Sequence, residues 1–269
     1  MPYASIMVTV DLTDEARSRV RLAKHLADDC HARLIGVAAE QAAYAVPPVG
    51  PTPGSAYALA AGDETILNDL RRAHEAFAEA AGGSERVAWR SNLGVPLPFL
   101  LAQAAAADLV VVGRRMEPVP ALFAVDPADA VMHLGRPVLL APPGVDHLDA
   151  KRVVVGWKNT REARRAILDA LPFLKRASEV LVVSVDEEAA SGGQDTLRLL
   201  QAHDVSAIHV RRDAQGRSVS GALVETAAEH GADLIVTGAY SHGRLREWVF
   251  GGVTRDLLAG APVCCLMSH

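Results

Sequence analysis

The sequence is poor in cysteine and in aromatic residues, and it has no excess of positive charge. Its 269 residues include 3 cysteines and only 4% Phe, Trp and Tyr. Two of the cysteines, Cys264 and Cys265, are neighbours, so a disulfide framework is excluded and reduced thiols are expected. The formal net charge of −5 gives no overall basic field to hold nucleic acid or an anionic membrane. We therefore expect no nucleic-acid partner.

Long apolar runs are also missing. A membrane-spanning helix needs about 18 or more apolar residues, and the longest candidate, 100–112, contains Gln103 and Asp108. The first ten residues have no basic run, and their apolar stretch is too short for an export signal. With 50% hydrophobic and 22% charged residues, the composition is typical of a soluble globular protein with a sizeable core. We expect a cytoplasmic protein that does not associate with membranes.

The motifs of metal and nucleophilic chemistry are absent as well. The sequence has no His-x3-His pair and no Cys-x2-Cys pair of metal ligands. It has neither a Gly-x-Ser-x-Gly nucleophile turn nor a Gly-x4-Gly-Lys-(Ser/Thr) phosphate loop. We therefore assign no catalytic residue and no metal ligand.

What the sequence does contain is an internal repeat. Segments 13–30 and 160–177 both begin Thr-x-Glu-Ala, and both continue with apolar residues at alternating spacings of four and three. This spacing is typical of one face of an amphipathic helix, and the opening threonine is a predicted N-cap. Further along, the Ala-Asp-Leu element of 107–113 is repeated in 232–238. The pattern indicates a duplicated structural unit.

Each copy alternates helices with short strands rich in Val, Ile and Leu. Continuous apolar strands indicate a parallel sheet covered on both faces, with right-handed strand–helix–strand connections. We predict the α/β class, with two tandem doubly wound parallel-sheet domains over residues 1–145 and 150–269. A Pro/Gly segment, 142–149, is the predicted linker. The Pro/Gly/Ala-rich segment 42–62 occurs only in the first copy and is predicted to be an extended loop or lid.

The second copy has a glycine-rich segment after its fourth strand. In open parallel sheets, ligands bind beyond the carboxyl ends of the strands, at the point where the strand order reverses. Gly238 follows the strand, and Gly251 and Gly252 precede the last helix. The amides at such a helix start favour phosphate. This segment is therefore the candidate anion site.

These features resemble the universal stress protein family, whose nucleotide-binding members carry Gly-x2-Gly-x9-Gly-(Ser/Thr) after the fourth strand. The register is kept at Gly238, Ser241, Gly251 and Gly252, with serine in place of the second glycine and glycine in place of the final Ser/Thr. The resemblance extends over both halves nearly end to end. It implies a universal-stress-protein-like, adenine nucleotide alpha hydrolase-like topology, with ATP or AMP as the ligand and Mg²⁺ accompanying ATP.

The predicted nucleotide-binding residues lie in that segment and at the ends of the first two strands of the second copy. They are Gly238, Ser241, His242, Gly243, Gly251, Gly252, Val253, Thr254, Trp157, Lys158 and Val185. Lys158 is expected to reach phosphate and either Trp157 or Asn159 to meet the base, while Val185 follows from the resemblance. A solvated turn for Lys158 and interface packing for Trp157 are the alternatives. Thr254 either replaces the hydroxyl missing at position 252 or caps the last helix.

The first copy keeps the spacing of this segment but changes the residues. Met116 stands at the position of Ser241, and Asp126 and Pro127 stand where the second copy has its two consecutive glycines. A carboxylate about 4 Å from a phosphate costs ~1 kcal/mol in water and ~4 kcal/mol at an effective dielectric constant of 20. Proline also removes an amide donor. We expect no triphosphate in the first copy, whose role would be packing, dimerisation or covering the partner domain.

The predicted function is that of a universal stress protein that binds an adenine nucleotide in its C-terminal domain. It would act in stress response through binding-linked changes of conformation or partner contacts, as a homodimer or an intrachain pseudo-dimer, with at most weak ATP hydrolysis. One alternative is a nucleotide-free interaction or dimerisation module of the same fold. Another is an enzyme that processes adenylates, for which Asp11 and Asp126 are the carboxylate candidates.

Overall fold

The computed structural model of the chain describes residues 2–41, 53–114, 123–185, 191–213, 216, 218–240 and 252–269. Within these residues, ten strands form one continuous sheet. The strands are β1 Ser5–Thr9, β2 Arg33–Glu40, β3 Val87–Leu93, β4 Leu109–Gly113, β5 Val138–Ala141, β6 Arg152–Gly156, β7 Glu179–Val185, β8 Ile208–Arg212, β9 Leu234–Gly238 and β10 Cys264–Ser268.

Helices cover both faces of the sheet. They are α1 Asp14–Cys30, α2 Pro53–Ala81, α3 Pro96–Gln103, α4 Pro127–His133, α5 Arg161–Leu174, α6 Gly193–Ala202, α7 Val219–His230 and α8 Gly252–Gly260, and α3 continues into the 3-10 turn Ala104–Ala106. The apolar side chains of α1, α2, α5 and α6 pack on one face, and those of α3, α4, α7 and α8 pack on the other. This double covering explains why the strands are apolar without alternation.

The strand order is β3-β2-β1-β4-β5-β10-β9-β6-β7-β8. We call the half with β1–β5 the first unit and the half with β6–β10 the second unit. The strand pairs inside each unit are parallel. The predicted α/β class with two doubly wound parallel sheets is therefore confirmed, while the domain limits 1–145 and 150–269 stay a prediction.

The two units join through an antiparallel pair of closing strands. In this pair Cys265 lies opposite Leu140, and Leu266 lies opposite Leu139. All four side chains are buried, so each unit covers the sheet edge that the other would otherwise expose. The two repeats thus pair inside a single chain, as in the predicted intrachain pseudo-dimer, while a homodimer stays a prediction.

The repeated Ala-Asp-Leu element has the same structural role in both units. The Asp108 carboxylate accepts hydrogen bonds from the Ala4 and Ser5 amides at 2.8 and 3.0 Å. The Asp233 carboxylate accepts from the two amides just before β6, at 3.0 Å each. In each unit the aspartate aligns the entry of the first strand with the start of the fourth. Strand alignment thus accounts for this part of the repeat.

The two predicted threonine caps differ in outcome. Thr160 accepts a hydrogen bond from the Ala163 amide at 3.3 Å, as predicted. Thr13 occupies the N-cap position of α1, but its hydroxyl donates to the Asp11 carboxylate, which also accepts from the Thr13 amide at 3.0 Å. The prediction that Thr13 caps the helix with its side chain is wrong, because a carboxylate two residues earlier is the stronger acceptor.

The prediction of an extended loop over 42–62 is wrong for its second half. Helix α2 begins at Pro53, so residues 53–62 are helical. Proline is tolerated in the first turn of a helix, where its missing N–H is not needed. The alanines that follow are strong helix formers. Residues 42–52 lie outside the described residues.

Candidate functional site

The candidate site of the second unit begins where β9 ends against α5. A Cβ atom on Gly238 would lie 2.4 Å from the backbone nitrogen of Ala163 and 2.6 Å from the carbonyl carbon of Glu162. The helix backbone therefore rests directly on this glycine, and no larger residue fits without moving it. Gly238 thus has a packing role that does not depend on any ligand.

The described residues on either side of segment 241–251 are joined by a hydrogen bond. The amide of Tyr240 donates to the hydroxyl of Thr254 at 3.3 Å, and Thr254 is 3% exposed. Tyr240 has a φ of 56°, in the left-handed region that costs a non-glycine residue about 1–2 kcal/mol. The hydroxyl of Thr254 thus holds Tyr240 to the first turn of α8, and the phosphate contact predicted for Thr254 stays a prediction.

Helix α8 begins at Gly252, which is exposed among the described residues. No described atom lies within 4 Å of a Cβ built on this residue, while Val253 packs on the apolar cluster shared by α4, α7 and α8. The first amides of a helix have no acceptor inside the helix, and the helix dipole favours an anion there. Among the described residues, no side chain fills the space beside Gly252. The predicted residues Ser241, His242, Gly243 and Gly251 lie outside the described residues.

The predicted residues at the strand ends have three different environments. Trp157 is 5% exposed, and its indole N–H donates to the carbonyl of Ser191 at 3.0 Å. Its ring packs inside the second unit and its one donor is used, which favours the packing alternative for Trp157, while its contact with a base stays a prediction. Lys158 is exposed in the turn before α5. Val185 is buried at the end of β7 and lies opposite Arg212 in β8.

In the first unit, an ion pair between Arg19 and Asp11 lies at the end of β1. The guanidinium of Arg19 lies 2.7 Å from the carboxylate of Asp11, and its Nε donates to the Thr9 carbonyl at 2.8 Å. The side chains are 4% and 16% exposed. Burial opposes ionisation of Asp11, but the Arg19 guanidinium and the hydrogen bonds from Thr13 outweigh it and lower the Asp11 pKa. The pair is charged and largely dehydrated.

Arg19 also covers the end of β4. A Cβ on Gly113 would lie 1.9 Å from Nη1 of Arg19. The cavity that remains beside the pair has a volume of about 40 Å³, and its walls include Val37, Leu100 and Phe123. Since roughly 10–15 Å³ holds one water, this volume corresponds to a few waters.

The start of α4 in the first unit is already capped. The carboxylate of Asp126 accepts a hydrogen bond from the Ala128 amide at 2.8 Å, and Pro127 occupies the first helical position. The protein's own carboxylate thus occupies the place where an anion would bind a helix start. This arrangement supports the expectation that no triphosphate binds to the first unit.

Arg19 and Tyr240 were not among the residues selected from the sequence. Arg19 lies beside the apolar stripe of α1, at the position aligned with Ala166 in α5. The sequence signal for its role was a charged residue beside a buried apolar stripe, at a position where the other copy has alanine. No comparable pattern marks Tyr240, because its left-handed conformation depends on the path of the chain.

In the described part of the chain, no group of three His, Cys, Asp or Glu side chains has an arrangement that could hold a metal ion. Nor does any helix in these residues have the length and apolar character needed to cross a membrane.

Comparison with known proteins supports the assignment of the second unit. The family described as the universal stress protein family matches residues 194–269, which run from α6 to β10. No curated protein sequence matches the chain.

Among solved structures, a universal stress protein from Archaeoglobus fulgidus DSM 4304 superposes with a TM-score of 0.70 at 12% identity, covering 98% of this chain and 97% of that one. A functionally unknown protein from Pseudomonas aeruginosa PAO1 gives 0.55 at 16% identity, covering 99% and 92%. At these identities the likeness concerns the fold. The universal stress protein family thus matches the sequence of the second unit from α6 to β10, and the two units together have the fold of the universal stress protein from Archaeoglobus fulgidus.

Proposed function

We propose that the second unit binds an adenine nucleotide, ATP or AMP, with its phosphates at the start of α8. The protein would act in the stress response of the cytoplasm, through changes in unit or partner contacts that follow binding. Mg²⁺ would accompany ATP. The proposal is supported by the family to which the second unit belongs and by the register of its glycines.

The difference between the two helix starts is the observation on which the proposal depends. Gly252 opens α8 with no described atom within 4 Å of its Cβ position. Asp126 caps α4 with its own carboxylate, and Pro127 lacks an amide hydrogen. An anion at the start of α8 would meet the first amides of a helix, whereas an anion at the start of α4 would meet a negative charge.

Isothermal titration of the full chain with ATP and with AMP tests the proposal. The site variant is Gly252→Asp, which introduces the carboxylate that the first unit already has. The space around Gly252 accommodates the new side chain, and aspartate stabilises a helix start. We expect this variant to fold normally and to bind nucleotide at least about tenfold more weakly, because two negative charges then meet at the same amides.

The matched control is Asp126→Gly, the reverse change in the first unit. It should leave nucleotide affinity undiminished, although loss of the cap costs about 1 kcal/mol of stability at most. If Asp126→Gly weakens binding and Gly252→Asp does not, the nucleotide belongs to the first unit. If neither ATP nor AMP produces heat at millimolar concentration, the binding function is wrong.

A nucleotide-free interaction module of the same fold is the second candidate. It is favoured by the close packing at the ends of β6 and β9, where Gly238 supports the α5 backbone and Trp157 is buried. The space near these two strand ends is taken up by protein atoms. Absence of nucleotide in the mass spectrum of the denatured purified protein, together with a silent titration, would favour this candidate.

A further inference from the structure

The sheet has two outer edges, β3 in the first unit and β8 in the second. Among the described residues, β3 pairs only with β2, and β8 pairs only with β7. An unpaired edge presents backbone donors and acceptors with which another strand can pair, and short length and charge are common protections against such pairing. Strand β8 has 5 residues and ends in two arginines, whereas β3 has 7 residues and contains one arginine. The edge at β3 is therefore the less protected of the two.

The hydrogen bonds between β2 and β3 determine which backbone groups of β3 are directed outward. The Leu34 amide donates to the Arg86 carbonyl at 2.9 Å, and the Gly94 amide donates to the Glu40 carbonyl at 2.8 Å. The residues that bond to the neighbouring strand alternate along a parallel pair. The even-numbered residues of β3 therefore bond to β2, and the odd-numbered residues direct their N–H and C=O groups away from the sheet.

The free outward groups lie in the second half of β3. In the part of the chain that the structure describes, the backbone N–H and C=O groups of Trp89 and Ser91 have no hydrogen-bond partner. At the start of the strand, the Val87 amide already donates to the Ser84 carbonyl at 3.1 Å. A strand that pairs with this edge can therefore exchange hydrogen bonds most completely from Trp89 onward.

Apolar surface borders these backbone groups on the side of α2. The ring of Trp89 stacks on His74 with a centroid distance of 5.0 Å and lies 5.3 Å from the ring of Phe77. Leu93 is on the same face of β3, because side chains alternate along a strand, and it is 41% exposed. Leu67 of α2, two helical turns before His74, is 54% exposed. The edge thus combines free backbone groups with exposed apolar side chains.

The charge of Arg90 and the turn before β3 restrict how two copies of this strand can pair. In an antiparallel pair with its two-fold axis at Arg90, the two arginines would lie directly opposite each other, which is unfavourable for like charges. An axis at Trp89 would need the Val87 amide, which the turn already uses. Neither register suits the strand.

An axis at Ser91 avoids both problems. It places Trp89 of one copy opposite Leu93 of the other on the α2 face, and Arg90 opposite the amide side chain of Asn92 on the other face. Like charges are then apart, and the exposed leucine is covered by an aromatic ring. The strand is therefore complementary to a second copy of itself in this register.

We propose that the protein forms a homodimer in which the β3 strands of two copies pair antiparallel around Ser91. The sheet then continues from one copy into the other through the same kind of contact that joins β5 to β10 within the chain. Each copy contributes the same surface, so one such contact closes the dimer and leads to no longer assembly. The proposal does not depend on nucleotide binding.

Sedimentation velocity of the full chain over a dilution series tests the dimer, whose mass is twice 28.5 kDa. The site variant is Ser91→Pro. Its amide is directed away from β2, so proline removes no hydrogen bond inside the sheet, but the dimer loses a donor in both copies. The dissociation constant of the dimer should rise at least about tenfold. Ser91→Ala keeps the N–H and is the matched control, which should dimerise like the wild type.

A second pair of variants compares the two edges of the sheet. Leu93→Asp places a charge opposite Trp89 of the other copy and should also weaken the dimer. Ile208→Asp makes the same change at an apolar residue of β8 that is 60% exposed, and it should leave the dimer intact. Thermal unfolding of each variant verifies that it is folded.

Cysteine variants test the register. In the proposed pair the two Ser91 residues are directly opposite, with Cα atoms about 5.5 Å apart, which suits a disulfide. Mild oxidation should therefore link two copies of Ser91→Cys. The two Leu93 residues would be about 13 Å apart along the strands, so Leu93→Cys should not form a link. The wild type, with Cys264 and Cys265 buried and Cys30 half-buried, provides the background.

Three results would overturn the proposal. The first is a monomer at every concentration, and the second is a dimer that survives both Ser91→Pro and Leu93→Asp. The third is a dimer that only Ile208→Asp dissociates, which would place the contact at β8. A link through Leu93→Cys but not through Ser91→Cys would contradict the register. None of these results bears on the nucleotide titration, so the dimer and the proposed function can fail separately.

Discussion

The two units treat the same strand end in opposite ways. In the second unit, Ala166 is small and buried, and the backbone of α5 lies directly against Gly238. In the first unit the aligned residue is Arg19, whose guanidinium lies between α1 and Gly113 and pairs with Asp11. The residue at this one position of the helix, Arg19 or Ala166, thus decides what covers the end of the strand: a charged side chain in the first unit and helix backbone in the second. Duplicated units can therefore share a fold without sharing a site.

The largest expected effect comes from Arg19→Ala, which gives the first unit the alanine of the second. The change leaves the Asp11 carboxylate buried without its cation, and breaking such a pair costs about 3–5 kcal/mol. Denaturant unfolding measures the loss. Arg198→Ala, which removes the exposed partner of Asp195, should cost less than about 1 kcal/mol.

The double variant Arg19→Ala/Asp11→Ala tests whether charge is the reason. Removal of both charges should restore part of the stability lost in Arg19→Ala, because the uncompensated carboxylate is gone. If the free energy of unfolding lost in the double variant equals the sum of the losses in the two single variants, the two charges are not coupled. The contrast between the units would then depend on packing volume alone.

The next largest loss of stability is expected from substitution of the glycines that end β9 and β4, Gly238 and Gly113. Gly238→Ala places a Cβ against the backbone of α5, which cannot give way locally, and should cost about 1–3 kcal/mol. Gly113→Ala meets the end of the Arg19 side chain, so its cost should be smaller. Gly252→Ala, with no described atom within 4 Å of the new Cβ, is the control and should change the free energy of unfolding little. If Gly113→Ala is the more damaging change, the backbone contact at Gly238 is not the tighter one.

A smaller effect is expected from the hydrogen bond that holds Tyr240 to α8. Thr254→Val removes the acceptor for the Tyr240 amide and should cost about 1 kcal/mol. Thr254→Ser keeps the hydroxyl and should retain most of the stability. In the nucleotide titration, Thr254→Val should weaken binding while Thr254→Ser should not, since the bond fixes the residue that adjoins the glycine-rich segment. Equal affinity of the two variants would show that the bond has no part in the site.

The smallest effect is a pH dependence that arises in the first unit. Burial, together with the nearby carboxylate of Asp69, raises the pKa of Glu40 to about 7. Within the described residues, one carboxyl oxygen of Glu40 is buried without a hydrogen-bond partner. Since the folded pKa is above the unfolded value, the contribution is full below about pH 4.5 and is lost as the pH rises through about 7. Solvent screening should keep it below about 1 kcal/mol.

Glu40→Gln removes this titration and should make the stability nearly constant where the wild type declines. Denaturant unfolding of both proteins between about pH 5 and pH 8 gives the comparison, and their difference isolates Glu40 from other groups. Asp11 has the opposite sign, because its pKa is lowered in the folded state. Its contribution is lost only as the pH falls through that lowered value. A parallel course of the two stability curves between pH 5 and pH 8 would contradict the role of Glu40.

The fold was predictable because its signals are local and repeated. Continuous apolar strands and stripes of spacing four and three indicated a parallel sheet between helices, and both are present. The segment 42–62 was misjudged because its prolines were taken as typical of the whole stretch, although Pro53 starts a helix that the alanines continue. Local composition therefore predicted secondary structure correctly where the composition was uniform, and it failed where the composition changed within a few residues.

The position of the candidate site after β9 was inferred from topology and stays a prediction, whereas the contacts of its side chains could not be inferred. Trp157 packs in the core, and the hydroxyl of Thr254 binds the backbone of Tyr240. Both side chains can form more than one kind of contact, and which contact forms depends on residues that are distant in the sequence. Ser191, for example, accepts the indole hydrogen bond although it is separated from Trp157 by a helix and a strand.

The sequence by itself determined the class of fold, the duplication and the chemical contrast between the glycines of one copy and Asp126-Pro127 of the other. Only the tertiary structure decided that the closing strands join the two sheets and that Arg19 fills the end of β4. The reason is physical: strand and helix patterns are set by neighbouring residues, whereas edge pairing, ion pairs and electric fields arise between groups that only folding brings together.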